Sequence, residues 1–251
     1  MKKTGTLFLV PTPIGDLAVE QTIPLQTLEI VRKLDYFIVE NVRTARRFIS
    51  KVGASKAIDE LEFLVHDKHF DPHDIGVMLK PLIDGRDGGL LSEAGTPCIA
   101  DPGGVVVAQA HEWGIKVVPL GGPNAIILAL MASGFNGQAF RFHGYLPIQE
   151  NECVQSIKSL EKQTIETSET QIFIETPFRN NAMIERIIKH GHPDTFLCVA
   201  AGISTPDEKI ISLSIGQWRT MAFNFHKMPA VMLIWSANKN VFQNKRKKYK
   251  R

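Results

Sequence analysis

Cysteine is scarce in this chain: three residues among 251, Cys98, Cys153 and Cys198, odd in number and far apart. They offer neither a disulfide framework nor a metal-ligand spacing, and so point to a reducing cytoplasm. Long apolar runs are missing too; none approaches the roughly 18 residues that a membrane span requires. Pro11 and Pro13 follow Lys2 and Lys3 too closely to leave room for a signal-peptide core. A cytosolic, soluble protein is expected. Charge of one sign is also in short supply. The net charge is only +3, and most of that excess falls in the last residues, 245–251. The whole-chain figure therefore gives no argument for nucleic-acid binding, and the basic tail, 241–251, is expected to be solvated and disordered.

What is present is the composition of a globular protein. Apolar residues make up 44% and charged ones 22%, enough to bury one large core or two medium ones. Thr6-Leu7-Phe8-Leu9-Val10 is a continuous apolar run, as in a strand buried on both faces. It stops at Pro11-Thr12-Pro13-Ile14-Gly15-Asp16, which lacks both GxGxxG and the P-loop lysine and so disfavours a nucleotide phosphate site. Pro24 can open a helix with Leu25, Leu28, Val31 and Leu34 on one face. Tyr36-Phe37-Ile38-Val39 is a second strand, running into Glu40-Asn41-Val42-Arg43 and a helix that buries Val42, Ala45, Ile49 and Val52. A strand at 61–65, a helix marked by Ile75, Met78, Leu79, Leu82 and Ile83, and a strand at 116–119 continue the alternation. Such alternation builds a mostly parallel sheet. Gly144-Tyr145-Leu146-Pro147 reads as a linker, and the strands expected beyond it, at 171–174, 196–200, 210–215 and 230–235, point to a mixed sheet. The expected architecture is α/β in two domains, 1–143 and 144–240, with a cleft between them.

One stretch organises the rest. Leu90-Leu91-Ser92-Glu93-Ala94-Gly95-Thr96-Pro97-Cys98-Ile99-Ala100-Asp101-Pro102-Gly103-Gly104 begins as a strand, breaks into a turn of small residues, and gives way to a helical pattern. Small residues let a backbone approach a ligand, and two prolines fix the path of the loop. A strand ending in such a loop and feeding a helix is where open α/β sheets hold ligands. A purely structural connection is the alternative.

Five segments, in order, resemble one family. They are Val10-Pro11-Thr12-Pro13-Ile14-Gly15-Asp16-Leu17, the central stretch just described, Gly122-Pro123-Asn124-Ala125, Gly144-Tyr145-Leu146-Pro147, and Ile174-Glu175-Thr176-Pro177-Phe178-Arg179. Together they are similar to the tetrapyrrole-methylase superfamily of S-adenosylmethionine-dependent methyltransferases. The branch they resemble best is the small-subunit ribosomal RNA (cytidine-2′-O)-methyltransferases. The resemblance implies two α/β domains, a homodimer, an RNA acceptor and S-adenosylmethionine held by strand-end loops of both domains. By position it assigns Pro13, Ser92, Glu93, Ala94, Gly95, Thr96, Ile99, Ala100, Asn124 and Ala125 to the cofactor from the first domain. Thr176, Ala201 and Pro229 would line it from the second.

The chain departs from that branch at three places. Glu40-Asn41-Val42-Arg43 stands where it reads Glu-Asp-Thr-Arg, Ser92-Glu93 where it reads Ser-Asp, and Ala200-Ala201-Gly202-Ile203-Ser204-Thr205 where it reads Ala-Arg-Glu-Leu-Thr-Lys. These changes bear on the acceptor. A small-molecule acceptor such as a tetrapyrrole, or a non-enzymatic role beside RNA or the ribosome, are the rival readings. For a sugar hydroxyl, a nearby base helps, and Glu40 is the first candidate; a helix-start carboxylate or a partner for Arg43 is its alternative. Arg43 could hold an acceptor phosphate or lie in a surface cluster with Arg46 and Arg47. No metal is expected: His66, His69 and His73 have no ligand spacing and read as surface or substrate-side residues. Glu175 and Arg179 most simply pair across the Pro177 turn.

Overall fold

A computed structural model describes residues 4–66 and 75–236. The tail 245–251, His69 and His73 lie outside the described residues. The chain forms two compact units, Met1–Asn124 and Ala125–Arg251.

The first unit runs β1 (Thr6–Val10), α1 (Val19–Thr22), α2 (Leu25–Lys33), β2 (Tyr36–Val39), α3 (Val42–Val52), a 3-10 turn (Ile58–Glu60), β3 (Glu62–Val65), α4 (Ile75–Ile83), β4 (Gly88–Leu91), α5 (Gly104–Glu112) and β5 (Lys116–Pro119). Its five strands are ordered β3-β2-β4-β1-β5 and all pair in parallel. Alternate residues of each strand feed opposite faces of the sheet, so each face has its own core. Val10, Phe37, Val39 and Leu91 pack with α1, α2 and α3. Leu7, Tyr36, Ile38 and Leu90 pack with α4 and α5. Glycine opens β4 to its neighbour: a Cβ on Gly88 would lie 2.7 Å from the Tyr36 ring. β4 thus begins two residues before the apolar pair that signals it in the sequence.

The strand order locates a site before any side chain is considered. From β1 the chain crosses to β2 on one side of the sheet; from β4 it crosses to β5 on the other. Connections that diverge from adjacent strands leave a crevice at the carboxyl ends of those strands, where open α/β sheets bind ligands. Here that crevice is flanked by the ends of β1, β4 and β2. Leu25 falls outside the expected apolar face of α2; it is 63% exposed while Leu28 and Val31 are buried.

The second unit contains α6 (Ala125–Ser133), β6 (Phe140–Tyr145), α7 (Glu150–Thr167), β7 (Thr170–Glu175), α8 (Asn180–His190), β8 (Phe196–Ala201), β9 (Lys209–Ser214), α9 (Ile215–Trp218) and β10 (Ala230–Trp235). Its sheet is ordered β6-β7-β10-β8-β9 and is mixed: β6 lies parallel to β7, and the other pairs are antiparallel. Its core gathers Ile157 and Leu160 of α7, Met183 and Ile187 of α8, and Trp218 against Phe173, Val199 and Met232. The segment expected as a linker is the end of β6 and the turn after it. Its Gly144, at φ +68°, sits inside an edge strand. Glycine and proline there punctuate a sheet edge rather than a boundary, and Ser212 Oγ donates to Ser133 O at 2.7 Å, fastening the end of α6 to β9.

Candidate functional site

Two strand-end loops of the first unit are locked together. Thr12 N–H donates to Gly95 O at 2.9 Å and Gly95 N–H to Thr12 O at 3.1 Å, a bridge between the turn after β1 and the loop after β4. Ser92, buried, donates its hydroxyl to Gly95 O at 2.6 Å, and Thr12 Oγ1 donates to Ser92 O at 3.2 Å. Asn124 Nδ2 donates to Thr96 Oγ1 at 2.6 Å, adding the segment after β5 to the same lattice. Gly122 lets that segment close in, since a Cβ there would fall 2.2 Å from the Pro11 ring. Ser92 and Asn124, both expected at the cofactor, thus hold the loops that carry the other candidates.

Beyond Gly95 the loop adopts a backbone that few residues tolerate. Cys98 has φ +66° and Ala100 φ +58°, conformations that cost a non-glycine residue of order 1–3 kcal/mol and cluster at ligand sites. Asp101 holds the loop in that form: its Oδ1 accepts from Cys98 N at 3.1 Å and Gly103 N at 2.8 Å. His66, expected at the surface or on the substrate side, is buried and brings Nε2 to 3.1 Å from Pro102 O. The outcome is a rim on which Glu93, Ala94, Ile99 and Ala100 are exposed, with Pro13 half-buried beside them. The amides of Ala94 and Ala100 have no acceptor among the described residues. Burial, then the charge of Asp101, pushes the Cys98 thiol up to about 11, so it remains a thiol at neutral pH.

Glu40 stands at the end of β2 facing this loop. Its Oε1 accepts from Glu93 N at 3.2 Å. Burial first, then a hydrogen bond and repulsion from the Asp101 carboxyl, push Glu40 up to about 7, against the opposing pull of the Glu93 amide. Arg43 is not its partner. The Arg43 side chain lies exposed on the first turn of α3, without an ion pair among the described residues. The departures at 41 and 93 acquire a physical meaning here. Asn41 caps α3, its Oδ1 accepting from Arg43 N at 2.9 Å and Thr44 N at 3.4 Å, so the cap survives without adding a fourth carboxylate beside Glu40, Glu93 and Asp101. The longer Glu93 reaches Thr44 Oγ1, which donates to it at 2.5 Å. Asn41→Ala should lower stability by about 1 kcal/mol, read as a lower urea midpoint with an unchanged slope. A cavity of about 120 Å³ opens beside these groups, lined by Thr12, Pro13, Thr44, Arg47, Lys51 and Glu93 among others.

In the second unit, the ends of β7 and β8 and the start of β10 come together, with Glu175 opposite Ala230 and Ala230 opposite Ala201. Thr176 and Pro229 therefore lie at one end of the sheet, and Gly202 N–H donates to Pro229 O at 2.9 Å. Ala201 is wholly buried, as are Ala200 and Gly202 on either side of it, whereas Pro229 is exposed and Thr176 half-buried. Glu175 and Arg179 pair as expected, with Arg179 Nε donating to Oε1 at 2.9 Å and Nη2 to Oε2 at 2.5 Å. Asn180, fully buried, fastens the 225–228 turn through Nδ2 to Met228 O at 2.6 Å. Ala125 opens α6. Among the described residues no three or more His, Cys, Asp or Glu side chains are arranged so that they could hold a metal ion, and no helix is long and apolar enough to cross a membrane.

The sequence named Glu40 and Glu93 but missed Asp101, Thr12 and Thr44. Asp101 carried a usable signal, an aspartate two residues before a glycine, the pattern of a side chain that accepts from its own loop.

The two sheets and their order define the tetrapyrrole-methylase fold. The crystal structure of the methyltransferase CobJ shares it, with a TM-score of 0.61 over 93% of this chain and 95% of that one, at 15% identity. No protein-family model matches the chain. Curated relatives named ribosomal RNA small subunit methyltransferase I do match. The one from Escherichia coli O157:H7 is 32% identical over 213 residues, covering 85% of this chain and 70% of the relative. That from Pasteurella multocida is 32% identical over 216 residues, covering 86% and 73%. That from Vibrio cholerae is 36% identical over 173 residues, covering 69% of this chain and 56% of the relative. The chain belongs to the ribosomal RNA small subunit methyltransferase I family. It spans somewhat more than half of the Vibrio cholerae relative and about seven-tenths of the other two.

Proposed function

We propose that this protein transfers a methyl group from S-adenosylmethionine to a ribose 2′-hydroxyl of small-subunit ribosomal RNA. The observation that carries the reading is the Glu40 carboxyl, held near neutrality beside a loop fixed in a strained form. S-adenosylmethionine supplies a methyl carbon on a sulfonium, so the protein's task is largely to align two reactants, worth roughly 7–11 kcal/mol when done well. The Thr12–Gly95 lattice suits that task because nothing in it must be ordered on binding. Exposed backbone at Ala94 and Ala100, with little side chain in the way, fits an adenosine and an amino-acid moiety. The hydroxyl needs a proton acceptor. Glu40 as carboxylate takes the hydroxyl proton as the oxygen–carbon bond forms, while the carbon–sulfur bond breaks and its electron pair stays on sulfur. Ser92, Gly95, Thr96 and Asn124 position the loop; Pro13, Glu93, Ala94, Ile99 and Ala100 form its contact face. In the second unit Thr176 and Pro229 are the cofactor candidates with exposed surface, and the buried Ala201 supports the strand end beside them.

The named relatives support the ribosomal acceptor, and the three free cysteines suit a cytoplasmic setting. A homodimer is the assembly that the family resemblance implies, and sedimentation equilibrium checks it. Calorimetry with S-adenosylmethionine should show binding in the micromolar to low-millimolar range, and no heat at millimolar concentration sinks the proposal. A ribose-methylation map of small-subunit ribosomal RNA, with and without the gene, tests the acceptor. An unchanged map removes it.

A further inference from the structure

The amphipathic pattern of α3 leaves a feature that the chemistry above does not use. Ala45, Phe48, Ile49 and Val52 face the core. Arg43, Arg47 and Lys51, spaced four apart and all exposed, form a stripe along the outer side, each step about 6 Å along the axis. The fourth cation of the helix behaves differently. Arg46 lies on the other flank, ion-paired with Asp59 and stacked 5.9 Å over the Phe63 ring. No acidic partner meets Arg43, Arg47 or Lys51 among the described residues. Of the nearby acids, Glu93 already accepts from Thr44 Oγ1 and Glu40 from the Glu93 amide. Nor is the stripe remote from the chemistry: α3 starts two residues after Glu40, and Arg47 and Lys51 line the same cavity as Thr12, Pro13 and Glu93. Three cations in a row, unneutralised, at the spacing of successive phosphates and beside a proton acceptor, match a polyanionic strand laid across that edge.

We infer that Arg43, Arg47 and Lys51 hold consecutive backbone phosphates of the acceptor RNA and so set which ribose reaches Glu40. The inference rests on the RNA reading above and adds to it the surface and its register. Such contacts carry no base readout; they position. They also account for a chain whose overall charge is nearly balanced, because the positive charge that matters is local.

The test measures binding of an unmodified small-subunit ribosomal RNA transcript to the full chain across a salt series. The triple variant R43Q/R47Q/K51Q should bind about tenfold or more weakly at moderate salt and flatten the slope of log affinity against log salt by roughly 2–3, since each phosphate contact contributes about 0.7–0.9. Arg46→Gln serves as the control on the same helix and should leave that slope unchanged. Calorimetry with S-adenosylmethionine on the same triple variant reports whether the fold and the cofactor contacts persist. A wild-type slope in the triple variant overturns the inference while leaving the RNA acceptor in place. Loss of S-adenosylmethionine affinity with an unchanged slope assigns the stripe to the cofactor's carboxylate and overturns it as well. A wild-type chain that binds S-adenosylmethionine but no RNA at any salt removes both the stripe and the RNA acceptor.

Discussion

Glu40→Gln should bind S-adenosylmethionine with affinity within about twofold of wild type and transfer methyl groups roughly 10²- to 10⁴-fold more slowly, the usual worth of a positioned base. The amide keeps the shape, and it can still accept from Glu93 N–H, but it cannot take a proton. The pH dependence follows from the raised carboxyl. Below about 7 the group is protonated and inert as a base; the wild-type rate should therefore fall about tenfold per unit below that point and level off above it. The variant should lose this limb and show a flat, low profile. Stability should move the other way. A carboxyl raised from its ordinary 4.5 to about 7 favours the fold while it is protonated. That contribution is complete below 4.5 and is lost as pH climbs through about 7. Glutamine never ionises, so above neutrality the variant should be slightly the more stable, by about 0.5–1 kcal/mol once solvent screening of a half-exposed group is allowed for. Wild-type turnover in the variant across the whole pH range would remove Glu40 as the base.

Arg179→Met should be the most destabilising single change considered, costing about 3–5 kcal/mol, because it strands a buried carboxylate. The Glu175 side chain is completely inaccessible, and Arg179 is itself two-thirds covered. In the native chain the carboxylate receives two guanidinium donors and the Thr176 amide at 2.5 Å. Methionine fills much of the arginine's volume yet supplies no donor, so the charge is left with one amide. Urea melts followed by the fluorescence of Trp218, buried in the same unit, should show the midpoint fall sharply. The double variant E175Q/R179M should recover a good part of the loss, since a neutral amide is far cheaper to bury than an unpaired charge. Equal losses in the single and double variants would mean that the guanidinium acts by packing rather than by pairing. Thr176 lies between the two partners and donates its amide to Glu175, so its presentation at the strand end depends on the same ion pair.

Much of this was legible in the chain because local pattern and burial agree. β1 and β2 are unbroken apolar runs, and a strand covered on both faces has no reason to alternate. The Glu175–Arg179 pair could be read from spacing across one turn. Other features are non-local and left no trace that a linear reading could use. Asp101 matters to Glu40 only because the loop after β4 folds back beside the end of β2, and that neighbourhood is a property of the strand order. Leu25 satisfied the helical period but sits on the turn that the sheet does not cover. The segment around Gly144 misled because glycine and proline mark an edge strand and a linker alike. His66 looked like one of three polar histidines, whereas it is buried with Nε2 against the Pro102 carbonyl.

The bridge between Thr12 and Gly95 has a consequence in time as well as in space. Each of its two N–H groups is sheltered only while the partner loop is in place. Their amide protons, far apart in sequence, must therefore exchange with solvent through one shared opening event rather than two. The free energy of that event belongs to the two loops jointly, since each N–H loses its acceptor when either loop lifts. A fluctuation that begins at the turn after β1 is felt at once beside Glu40.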